Sequence, residues 1–178
     1  MSRKHMPFRD PVTAQIAAFV TEIGLEIRTV ELTGENFLPG LRIEGSVILV
    51  DEAQLLYPGD ILHEAGHLAV MTPEDRRTTG EHAGEDAGFE MAAIAWSYAA
   101  ALHIGIDPLI VFHANGYKGG GANIVENFRK GQFFGVPLLQ WMEMTAEPRQ
   151  AEKLGRPPFP QMRKWLRDEP AQGDGQSL

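Results

Sequence analysis

The chain has 178 residues, 43% of them hydrophobic, enough for one domain with a sizeable buried core. Its formal net charge is −8, with the acidic excess in the first 146 residues, which argues against nucleic acid or an anionic membrane as a partner. There is no cysteine, so disulfides and thiolate metal sites are excluded and any metal must rest on histidines and carboxylates. The lack of cysteine also fits a cytoplasmic protein. The start, MSRKHMPFRD, carries charge with no apolar run of signal-peptide length behind it, so neither a leader nor a membrane span is expected.

Asp10-Pro11 ahead of VTAQIAAFVTEIG predicts a helix, with Asp10 as N-cap, Pro11 at the first helical position and Gly24 as the stop. Ile16, Phe19, Val20 and Ile23 recur at helical spacing and should face the core. LEIRTVEL alternates apolar and polar, predicting a half-buried strand over 25–32. LRIEGSVILVDE reads as one or two short strands with Gly45-Ser46 as a hairpin turn, Val47 to Val50 being the most buried run.

A helix over 60–71 follows, capped by Asp60 and ended by Pro73, with Ile61, Leu62, Ala65, Leu68 and Ala69 on its apolar face. PEDRRTTGEHAGED reads as an exposed loop. EDAGFEMAAIAWSYAAALHI predicts a second helix over 85–104, apolar almost all round from Met91 to Leu102 and therefore central and buried. Asp86, Glu90 and His103 at its ends, with Ser97-Tyr98 inside, favour a soluble core over a membrane span. Asp107-Pro108 starts a short helix, and NGYKGGGAN is a glycine-rich loop lacking the order of a phosphate-binding P-loop. IVENFRKG and VPLLQWMEM read as further short helices. Residues 1–146 form the expected single domain. Residues 147–178 read as a Pro/Gly-rich extension in which PQMRKWLRD is expected to form a small helix docking Trp165 and the last eight or so residues are expected to be mobile.

The chemistry lies in ILHEAGHLAV. His63-Glu64-x-x-His67 is an H-E-x-x-H pattern, and on a helix residues four apart share a face, so both imidazoles can grip one metal ion. Glu64 projects about 100° round the helix from His63, beside the metal, where a general base for a metal-bound water belongs. A third ligand must come from Glu81, His82, Glu85, Asp86, Glu90, His103 or His113. Glu90 is favoured because it leads into the buried helix; Asp86, one turn earlier on the same face, is next, and either could instead orient a ligating histidine. His113 and Tyr117, in VFHANGYKGG, are candidate donors to an oxyanion, although a helix-end histidine and a loop-packing tyrosine account for them more simply.

On these residues the chain resembles the gluzincins, zinc metallopeptidases in which a second helix donates a glutamate some twenty or more residues after the motif. Its order of elements over roughly residues 10–105 is similar to that of the small ImmA/IrrE-type peptidases. Only the metal motif is sharp in this likeness. Glu90-Met-Ala-Ala93 places alanine three residues after the glutamate as many gluzincins do, whereas Ile94 stands where they carry an acid or amide. The resemblance implies an α+β, minimal zincin-like domain with a small twisted sheet. It also implies zinc on His63, His67 and Glu90, with Glu64 as base for hydrolysis of a peptide or protein amide. The alternative is a metal-stabilised structural or regulatory protein on the same frame; a retained Glu64 favours the enzyme. The sequence sets neither substrate nor oligomeric state.

Overall fold

The computed structural model describes residues 8–79 and 87–168. It is a mixed α+β structure. Helix α1 (Pro11–Glu22) is capped as the sequence predicts: Asp10 Oδ2 accepts from the Thr13 amide at 2.7 Å and from its hydroxyl at 2.8 Å. Strands β1 (Glu26–Thr29), β2 (Leu41–Glu44) and β3 (Val47–Val50) form one sheet in the order β1-β3-β2. β1 runs parallel to β3, with Ile27 opposite Ile48, and β2 runs antiparallel to it, with Ile43 opposite the same Ile48. Gly45 and Ser46 make the two-residue hairpin turn; the positive φ falls on Gly45 (59°), the first central position, where a type II′ turn requires it. β3 is the central strand, with Ile48, Leu49 and Val50 buried. The first strand is shorter than its alternating pattern: its last bond to β3 runs from the Val30 amide to the Val50 carbonyl at 2.9 Å, and the Leu32 amide is then taken by the Asp51 carboxylate at 2.9 Å.

The motif helix α2 (Gly59–Val70) packs on α1, on the sheet and most extensively on α4 (Ala87–Ile104). Its start differs from expectation. Pro58 is the N-cap residue and Asp60 lies inside the first turn, where its carboxylate pairs with His113 rather than capping the helix. α4 is the buried centre of the molecule, with Ala92 to Ala101 all buried, and it also touches α1, α5 (Pro108–Val111) and α7 (Val136–Trp141). Gly66 explains how α2 and α4 approach so closely. A Cβ there would lie 3.0 Å from the Ala93 carbonyl and from Ser97 Oγ, and 3.1 Å from the Trp96 ring.

The polar segment after α2 is not wholly a loop. Thr72 and Pro73 cap and open a short helix, α3 (Pro73–Thr78). Pro73, read in the sequence as a stop for α2, also occupies the first position of α3. Residues 80–86, the remainder of that segment, lie outside the described residues. Helices α6 (Gly121–Arg129), α7 and α8 (Pro148–Leu154) complete the fold. Residues 161–168 do not form the expected small helix, yet Trp165 does dock. It packs edge-on to Phe19 at 5.0 Å and to Trp96 at 5.6 Å, and the Trp96 indole donates to its carbonyl at 2.9 Å. The irregular, bent backbone here gives the Trp165 carbonyl to a side-chain donor instead of to a helical amide.

Candidate metal centre

His63 and His67 project from the same face of α2, as their four-residue spacing dictates. Their rings meet edge-on at 4.6 Å, and their Nε2 atoms are 3.0 Å apart. Glu90, in the first turn of α4, closes the group. One of its oxygens lies 2.8 Å from His67 Nε2 and the other 3.4 Å from His63 Nε2. His67 is buried, His63 nearly so, and Glu90 is partly exposed on one side. Among the described residues this is the one group of histidine and carboxylate donors near enough together to hold a metal ion.

The donor set fits a divalent cation. A tetrahedral ion bonded at about 2.0–2.1 Å sets its donors roughly 3.3 Å apart; here the two Nε2 atoms are 3.0 Å apart, and they lie 3.4 Å and 2.8 Å from different oxygens of the Glu90 carboxylate. The hydrogen-bond inventory agrees. Nδ1 of His63 and Nδ1 of His67 are buried with no partner among the described residues, while both Nε2 atoms face each other and a carboxylate. A neutral imidazole has one N–H and one lone pair, so with the N–H of each ring on Nδ1 both Nε2 atoms turn lone pairs toward each other and toward the Glu90 carboxylate, an arrangement that a cation between them would relieve. Imidazole and carboxylate donors suit zinc and other first-row divalent ions alike.

The electrostatics follow from this crowding. Burial disfavours the Glu90 charge, but hydrogen bonds and positive charge from His63 and His67 outweigh it and hold the carboxyl far below the usual range. Glu64, one residue past His63, goes the other way. Burial dominates and pushes its carboxyl up; His63 and His67 oppose the rise, and Glu90 and Asp60 add to it. The two carboxylates of this cluster thus differ in proton affinity, Glu90 more acidic and Glu64 more basic than usual.

Tyr117 stands with its ring edge-on to His63, 5.4 Å between centroids. Burial, then the charges of Glu90, Asp60 and Glu64, raise its phenol well above the ordinary value, so the hydroxyl stays a donor. His113 is set back from the three donors: its Nε2 is 2.8 Å from Asp60 Oδ1, and its ring stacks on Tyr57 at 3.9 Å. His103 packs between Phe19 and Trp165, away from the group. Asp86, with Glu81, His82 and Glu85, lies outside the described residues. Asp60 and Tyr57 are neighbours of the site that the motif alone does not reveal. Asp60 had a signal: it precedes Glu64 by four residues and so shares its side of the helix. Tyr57 had none, because its contact is with a residue 56 positions away.

Set against protein-family models, curated proteins and solved structures, the chain finds no match. What can be said of its chemistry therefore comes from the geometry of these side chains.

Proposed function

We propose that the protein is a zinc-dependent hydrolase of the metallopeptidase class, acting on a peptide or protein amide. The observation that carries this reading is the convergence of His63, His67 and Glu90 with a buried, more basic Glu64 beside them on the same helix. His63, His67 and Glu90 would hold the ion. A bound zinc ion supplies Lewis acidity, polarising a carbonyl and making water a better nucleophile near neutral pH. Glu64 takes the proton from the attacking water and passes it to the leaving amine, a task favoured by a carboxyl whose proton affinity burial has raised. The Tyr117 phenol, held protonated, donates a hydrogen bond to the oxygen that gains charge when the carbonyl is attacked. His113 supports that side of the site through Asp60.

The test pairs metal analysis with hydrolysis of a mixed peptide library by wild type and Glu64→Gln. Both should carry about one zinc per chain, and the variant should lose activity by a factor of about 100 or more, the range for removing a general base. Wild type without stoichiometric metal sinks the reading. So does equal turnover by the two proteins. Metal in both with hydrolysis in neither transfers the assignment to a structural or regulatory metal protein.

A further inference from the structure

We propose that Asp60 and His113 form a latch that positions Tyr117 against His63. Its significance for hydrolysis rests on the function proposed above; its geometry does not. Asp60 lies in the first turn of α2, on the helix that carries His63. His113 follows α5 and opens the turn that ends in Tyr117. The two side chains meet at 2.8 Å across 53 residues of sequence, and each is at least five-sixths buried. An ionised carboxylate only accepts, so Nε2 of His113 carries the proton and donates it. The His113 ring is held from two further directions. Tyr57 stacks on it with the planes 12° apart, and a Cβ on Gly116 would come within 3.2 Å of its Cε1.

What the latch restrains is under strain. From His113 the chain turns tightly, with the Gly116 amide on the His113 carbonyl at 3.1 Å and the Gly119 amide on the Gly116 carbonyl at 2.9 Å. Tyr117 and Lys118 then sit at φ values of 53° and 54°, a left-handed conformation that side chains with a Cβ rarely adopt. Such a pair persists only where surrounding contacts over-determine it. Phe112 supports the tyrosine ring at 5.1 Å from below. Asp60–His113 ties the turn to the helix of His63, so that ring and ligand share one frame. The tie is distinct from the anchor of α5 itself. There Gly59 meets the Ile110 carbonyl so closely that a Cβ would fall 2.0 Å from it. Cutting the latch should free the turn and leave α5 docked.

Asp60 and His113 are thus positioning residues, and their effect can be read without turnover or metal. In the metal-free full chain, ring-to-ring nuclear Overhauser contacts between Tyr117 and His63 report the latch. Those between Tyr98 and Phe128, stacked at 4.8 Å in the core, report the fold. Asp60→Ala, and His113→Phe, which keeps a ring on Tyr57, should each cut the Tyr117–His63 contact at least fivefold while the core contact stays. Asp60→Asn, which retains an acceptor oxygen, should keep at least half of it. A wild-type contact in either disrupted variant whose core contact is intact overturns the latch, and so does an Asn variant as impaired as the Ala one. If Asp60→Ala loses the core contact, His113→Phe decides. A wild type lacking zinc or hydrolysis would sink the proposed function and leave this pattern unchanged, so the two failures are distinguishable.

Discussion

Glu90 makes the site a site: two histidines on one helix become a three-donor group only because a carboxylate arrives from a second helix. Glu90→Gln keeps the shape and removes the charge, so zinc affinity in a chelator competition should fall by about 100-fold or more, beyond the 10–100-fold typical of losing an outer-shell partner. Glu64→Gln should leave affinity within a few-fold of wild type. An unchanged Glu90→Gln beside a weakened Asp86→Asn would move the third ligand to Asp86. Another single residue bears on stability. Asp51 accepts from the Leu32 amide at 2.9 Å, the Ala53 amide at 3.1 Å and Gln54 Nε2 at 2.7 Å, tying the loop of residues 30–40 to the end of β3. The Leu32 bond is the largest of the influences that hold its carboxyl below the ordinary value, against the opposing effect of burial. A depressed folded-state pKa means that Asp51 stabilises the fold fully above its unfolded value of about 3.9, and that this is lost as pH falls through the folded value. Asp51→Asn should cost about 1–3 kcal/mol at pH 7 in urea unfolding, and the gap to wild type should narrow as the pH drops below about 4.

At the scale of elements, the α2–α4 contact decides how far apart the donors sit. Gly66 lies between His63 and His67, and opposite it are Ala93, Trp96 and Ser97, on the helix that Glu90 begins. Alanine at 66 gains about 1 kcal/mol of helix propensity, but its methyl presses on a backbone carbonyl that cannot swing aside. The expected net result is destabilisation by about 1–3 kcal/mol, as for overpacking elsewhere, read as a lower urea midpoint. Zinc affinity of the folded protein should fall as well, since the wedge moves Glu90 away from the histidines. A Gly66→Ala protein as stable and as avid as wild type would refute this account of the contact. The elements themselves were largely legible. α1 carries helical periodicity and a true Asp10 cap, the hairpin its Gly45 turn, the motif helix an apolar face and α4 an unbroken apolar run, and Glu90 stands out because it lies in the first turn of the one helix apolar all round. α3 is hard to see in the sequence even though Thr72-Pro73 is a cap-and-proline start, because Pro73 ends α2 as plainly as it begins α3. Asp60 was misplaced for a deeper reason: its partner His113 is 53 residues away, and no local signal competes with a good capping residue.

Across the whole molecule, the end of α2 is closed by the adjoining α3 and by a segment nearly a hundred residues further along the chain. Arg76 of α3 donates to the Leu68 carbonyl at 2.8 Å and the Met71 carbonyl at 3.0 Å, and it also reaches the Arg167 carbonyl at 3.2 Å. The Arg167 amide donates to the Ala69 carbonyl at 2.8 Å and its guanidinium to the Val70 carbonyl at 3.3 Å. Cations at a helix C-terminus satisfy orphan carbonyls and oppose the helix dipole. The sequence of residues 147–178 points to an extension that docks Trp165 but not to these bonds, which leave no mark on periodicity. Yet Trp165 locks this crossing in place by filling the space between Phe19, Trp96 and His103. Trp165→Ala should therefore act as a core truncation and lower stability by about 2–4 kcal/mol, near the lower end for a fully buried tryptophan because part of the ring is exposed. The loss should also be directional. With the crossing loosened, the amide of Arg167 should exchange with solvent sooner than those of the β3 strand. Zinc should recover part of the lost stability, because an ion that binds only the folded chain stabilises it by mass action. Uniform acceleration of exchange, with the Arg167 amide no earlier than those of β3, would show that Trp165 contributes bulk packing and does not hold the end of α2.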